Sequence, residues 1–185
     1  YDAFVERFVK EMEGLSVGPA LDPKTQVGPV VSETQLKSNL SYIEIARNEG
    51  CEVISGQHLA ERNTGYFQRP GVFLNATNQM RSSREEIFGP VASIIKVSDF
   101  EEAVAIANDT DFGLSSAICT KSLYYAREFK RQSEAGMAMV NLPTAGVDYH
   151  VPFGGRKNSS YGSREQGRAA IDFYTTTKTS YSFAG

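Results

Sequence analysis

Adjacent carboxylates stand at Glu85 and Glu86, followed by Ile87-Phe88 and a Gly89-Pro90 turn just ahead of an apolar run. A carboxylate has two acceptor oxygens, so one of the pair suits a diol such as a ribose, and the aromatic beside it can lie against a planar ring. By spacing alone the same residues also read as a solvated helix end followed by a core phenylalanine. A second constellation runs through Asn141-Leu142-Pro143, Val151-Pro152-Phe153-Gly154-Gly155-Arg156-Lys157 and Tyr161-Gly162-Ser163-Arg164-Glu165-Gln166-Gly167. Paired glycines beside basic residues suggest a phosphate cradle, yet neither GxxxxGK[ST] nor GxGxxG occurs. The plainer reading is a turn that needs positive φ at Gly154 or Gly155, with Arg156 and Lys157 as surface charges. Cys51 lies near His58, but it opens an apolar strand-like run where cysteine behaves as a small hydrophobe, and nothing nearby would lower its pKa. Cys119 reads the same way, and His150 is a loop histidine able to line a pocket, although a lone loop histidine is more often a surface residue.

The elements that must position these residues follow from periodicity. Phe4, Val5, Phe8, Val9 and Met12 form one helical face that ends near Gly14, and the chain opens inside that pattern without an initiator Met, as a cut end would. A Gly/Pro-rich loop follows from Ser16 to Val30. Ser32 with Gln35 makes a capping box for a helix striped by Leu36, Leu40, Ile43 and Ala46. Extended segments are expected at 51–54, at 66–74 with a bend at Pro70, and at 91–97. Ser98 with Glu101 caps a helix through Asn108, and a short strand runs from Ser115 to Thr120. A helix with Leu123, Ala126 and Phe129 on its apolar side then stops at Gly136, before a strand at 137–140. Ser163 with Gln166 boxes the start of a last helix. That setting puts Glu165 in a first turn, where the helix dipole stabilises a carboxylate, so a structural and a catalytic role both fit it.

Strands alternating with helices predict an α/β fold, a parallel sheet covered by helices. One domain over residues 1–174 is expected, then a Thr-rich extended tail at 175–185. Such a tail is an unpaired edge, and self-association through it is the natural expectation. The net charge of -3 offers no basic face to nucleic acid. No run of about 18 apolar residues is present to span a bilayer. Two cysteines without CxxC spacing support neither a disulfide framework nor a metal site and fit a reducing cytoplasm.

Taken in order, Tyr1-Asp2-x-Phe4-Val5, Gly28-Pro29-Val30, the 85–90 segment, Ala107-Asn108 with Phe112-Gly113-Leu114-Ser115, Gly136 with Val140-Asn141, Pro152-Phe153-Gly154-Gly155-x-Lys157 and Arg164-Glu165-x-Gly167 resemble the aldehyde dehydrogenase superfamily along essentially the whole chain. The resemblance implies the C-terminal part of a catalytic domain. It implies hydride transfer to NAD or NADP after attack by a cysteine, then hydrolysis by a water that a glutamate activates, with both residues upstream of Tyr1. It implies that Glu86 binds the cofactor ribose and Phe88 flanks it, that Phe153 walls the substrate tunnel, and that Glu165 relays a proton during hydrolysis. It also implies that the tail pairs with a neighbouring subunit of a homo-oligomer. The stretch 141–153, with its Asn141 and His150, is most similar to α-ketoglutarate semialdehyde (2,5-dioxovalerate) dehydrogenases, which makes a short aldehyde acid the expected substrate. The alternative is a non-catalytic binding or assembly domain of the same fold.

Overall fold

The computed structural model describes residues 1–60 and 65–185, which fall into two compact units, 1–97 and 98–185. In the first unit, α1 (Asp2–Glu13) and α2 (Glu33–Asn48) pack on β1 (Glu52–Ser55), β2 (Gly71–Leu74) and β3 (Val91–Ser93), with the single turn α3 (Arg81–Arg84) between the last two strands. β2 is the central strand and is buried along its whole length. Side chains alternate across a strand, so Phe73 enters a cluster with Ile43, Ala46 and Cys51, while Val72 and Leu74 join Met12 of α1 on the opposite face. The result is a helix-sheet-helix sandwich. Ser32 accepts from the Gln35 backbone N–H as expected of an N-cap, but the Gln35 side chain turns away from the helix start and donates to the Ile87 carbonyl at 2.9 Å.

The sheet departs from the expected all-parallel form. β2 and β3 are parallel, but β1 pairs antiparallel with β2, and no crossover helix lies among the described residues between them. β3 also stops at Ser93, short of the expected run to Val97.

The second unit holds α4 (Phe100–Asn108), β4 (Ser115–Ile118), α5 (Leu123–Gln132), β5 (Met137–Val140), a 3-10 turn (Lys157–Ser159) and α6 (Ala169–Tyr174). β4 and β5 form a separate two-stranded parallel sheet with α5 as the crossover. The N-cap of α4 is Asp99, one residue later than expected: its carboxylate accepts from Glu102 N–H at 2.8 Å, while Glu102 accepts from Ser98 N–H at 2.7 Å. On α5, Phe129 is buried but Leu123 is 88% exposed, so the expected stripe fails at its first residue.

The last helix is the largest correction. Residues 163–167 are not helical, and α6 begins at Ala169 with no side-chain cap. Gln166 (φ 64°) and Gly167 (φ 51°) are left-handed, which a right-handed helix cannot continue through. Residues 175–185 form no strand within the chain and are exposed.

Candidate active site

In the first unit, the turn carrying Glu86 and Phe88 is anchored at its start by its neighbour. Glu85 receives Arg81 Nε and Nη2 at 3.0 and 2.9 Å and the Tyr42 hydroxyl at 2.6 Å. These donors, Arg81 foremost, hold its carboxyl below the ordinary carboxylate range, and the same bond raises Tyr42. The turn of α3 that precedes Glu85 is capped from outside by Glu49, whose carboxylate accepts from Arg81 N–H at 2.7 Å and Ser82 N–H at 3.2 Å.

Glu86 is exposed and engages no partner among the described residues. Phe88 sits at φ 57°, in the left-handed region that a bulky residue enters at a cost, and the residue is 76% exposed. A carboxylate with both oxygens open beside an uncovered aromatic ring fits a ribose with its attached planar base. Behind the turn, Gly89 and Pro90 line an apolar groove of about 480 Å³ with Phe8, Met12 and Val91.

In the second unit, Phe153 and Glu165 are brought together as an antiparallel pair: Phe153 N–H donates to Glu165 O at 2.7 Å and Glu165 N–H to Phe153 O at 2.9 Å. Directly opposed residues of such a pair project to the same face. Glu165 therefore stands beside the expected tunnel wall on extended backbone, without the helix-dipole support that the sequence suggested. One step along, Gly167 N–H reaches Tyr149 O at 3.2 Å, which places exposed His150 next to this pair. Asn141 ends β5 at φ 56°, and both its amide atoms are engaged by the backbone of Thr120, accepting from N–H at 2.8 Å and donating to O at 2.9 Å. In this structure its amide extends the β4–β5 ladder.

Sequence reasoning passed over two supports here. Arg164 donates to Gly155 O at 2.5 Å and lies against Gly136 and Gly154, where any Cβ would strike its guanidinium or aliphatic stem. Lys157, read as a surface charge, pairs with Glu134 at 2.6 Å and donates to Thr110 O at 3.1 Å and to Asn108 O at the C-terminal end of α4. It also passed over Asn39 and Gln68, which are buried in the first unit. Their signal was present, since Asn39 interrupts the apolar stripe of α2.

Cys51 is buried and in contact with Met80 sulfur at 3.4 Å, and burial pushes its thiol up; Cys119 is exposed. Among the described residues no cluster of His, Cys, Asp and Glu could hold a metal ion, and no helix is long and apolar enough to cross a membrane.

The profile of the aldehyde dehydrogenase family matches residues 1–180. An α-ketoglutarate semialdehyde dehydrogenase of Haloferax volcanii is 47% identical over 98% of this chain and 38% of its own length. An α-ketoglutaric semialdehyde dehydrogenase of Bacillus subtilis is 41% identical over 97% of the chain and 37% of its own length. Among solved structures, an aldehyde dehydrogenase of Pseudomonas aeruginosa superposes with a TM-score of 0.89 at 40% identity, covering 96% of this chain and 36% of that one. A Mycobacterium tuberculosis aldehyde dehydrogenase complexed with NAD+ also gives a TM-score of 0.89, at 35% identity over 95% of this chain and 36% of that one. The chain thus spans under two-fifths of the curated relatives it matches. Its ordered motifs, its fold and these likenesses agree from end to end, and the chain belongs to the aldehyde dehydrogenase family.

Proposed function

We propose that these residues are the back part of the catalytic domain of an NAD(P)-dependent enzyme that oxidises α-ketoglutarate semialdehyde to the acid. The observation that carries the reading is the 85–89 turn, where a Glu86 carboxylate with no partner among the described residues stands beside Phe88, held exposed at positive φ. Glu86 accepts hydrogen bonds from the ribose hydroxyls, and Phe88 lies against the nicotinamide side of the cofactor. When bound, NAD(P) supplies the acceptor for the substrate hydride. Phe153 walls the aldehyde tunnel, His150 lines its mouth, and Asn141 holds the loop that leads to them. Glu165, beside Phe153, takes up and passes on a proton while the acyl group is hydrolysed. The substrate assignment is supported by the names of the Haloferax and Bacillus relatives. The nucleophilic cysteine and the base that activates water lie upstream of Tyr1 in the whole enzyme, so these 185 residues alone are inactive. The whole enzyme is cytoplasmic and self-associates through residues 175–185.

The test is kinetic and uses the whole enzyme. Glu86→Gln slows the pre-steady-state burst of hydride transfer, whereas Glu165→Gln leaves the burst and slows the steady state that follows it. An unchanged burst and turnover at saturating NAD in Glu86→Gln removes the ribose role.

A further inference from the structure

We propose that Asn39, backed by Gln68, is a positioning residue for the cofactor turn, a polar pedestal within an otherwise apolar layer; the proposal rests on the roles assigned above to Glu86 and Phe88. Asn39 is 0% and Gln68 1% exposed. Their amides join a continuous chain: Gln35 meets Asn39 at 2.7 Å, Asn39 meets Gln68 at 2.9 Å, and Gln68 Nε2 donates to Gly56 O at 3.0 Å. At its outer end Gln35 Nε2 donates to Ile87 O at 2.9 Å. A buried amide pair adds little net stability over two apolar side chains of the same shape, so packing alone does not call for it. What amides add is direction. A Cβ placed on Gly89 would lie 2.6 Å from both Cγ and Nδ2 of Asn39, so the turn backbone rests directly on the amide group.

Phe88 needs such a hold. Its φ of 57° persists only where the surroundings over-determine it, and its exposed ring is in no position to do so. The backbone is therefore fixed from below, by Gln35 on the Ile87 carbonyl and by Asn39 under Gly89. Glu86, which has no side-chain partner among the described residues, inherits its direction from that backbone.

In the whole enzyme, assayed with NAD and α-ketoglutarate semialdehyde, Asn39→Leu combined with Gln68→Leu removes the central amide pair together; Gly56 O and the Gln35 amide lose one partner each, so the unfolding midpoint falls while the enzyme stays folded at the assay temperature. The expected result is a raised KM for NAD and a hydride-transfer burst slowed by about tenfold to a hundredfold, with acyl hydrolysis unchanged and faster amide exchange at Phe88 and Gly89. Wild-type burst kinetics in this double variant, alongside a slowed Glu86→Gln, overturn the pedestal and leave the ribose role standing. A wild-type burst in Glu86→Gln overturns the reading beneath it. Should the double variant not fold, Gly89→Ala lifts the turn off Asn39 from the other side and is expected to show the same kinetic pattern; an unaltered burst there overturns the proposal.

Discussion

Glu85 and Glu86 are neighbours with opposite surroundings. Glu85 is spent on Arg81 and Tyr42, whereas Glu86 keeps both oxygens open among the described residues. Because the folded state depresses the Glu85 pKa, the linked stabilisation is fully present above the ordinary value of 4.5 and is lost as pH falls through the lower folded value. Both partners of the ion pair are exposed, so the effect on global stability is small and is best read locally. A carboxyl titration followed by NMR is expected to place Glu85 below 4.5, with the Tyr42 ring signals moving in the same transition. A midpoint at or above 4.5 means that the clamp is not formed in solution. The adjacent pair was legible as a candidate site, but which carboxylate stays free was not, because that depends on Tyr42 arriving from α2.

At the scale of elements, the errors of sequence reading concentrate at caps. A residue able to cap is not always the residue that does: Asp99 outcompetes Ser98 at α4, and Ser163 caps nothing because α6 starts only at Ala169. Asp99→Ala is therefore expected to cost about 0.5–2 kcal/mol in chemical denaturation, while Ser163→Ala is close to neutral. Equal losses at both positions would restore the expected boxed helix start. The glycines divide in the same way. A Cβ on Gly136 would overlap the Gly154 carbonyl oxygen and press on Arg164, whereas Gly28 has open space around its Cβ direction. Gly136→Ala should lose about 1–3 kcal/mol or more as overpacking, with Gly28→Ala near wild type in the same melts. Gly136 was recognisable as a helix stop, but its second task, leaving room for Gly154, is a contact across the chain that spacing does not reveal.

For the whole molecule, the tail makes the clearest wager. Residues 175–185 make no strand and lie exposed, so they contribute little to folding of the chain itself. Truncation after Tyr174 in the whole enzyme is expected to lower the mass seen by sedimentation while leaving the secondary-structure content of each subunit unchanged. An unaltered assembly would remove the pairing role proposed for the tail.

The sequence by itself determined the α/β class, nearly every helix and strand, the family, and the residues on which its chemistry is expected to fall. These are carried by local periodicity, turn chemistry and short motifs, all of which act over a few residues. Tertiary structure alone decided that β1 runs against β2, that Glu165 opposes Phe153 on extended backbone, and that Asn39 supports Gly89. Each of these depends on groups distant in sequence meeting with fixed geometry. Left-handed backbone at Gln166 and Gly167 ended the expected helix in favour of the long-range pair that Phe153 offered.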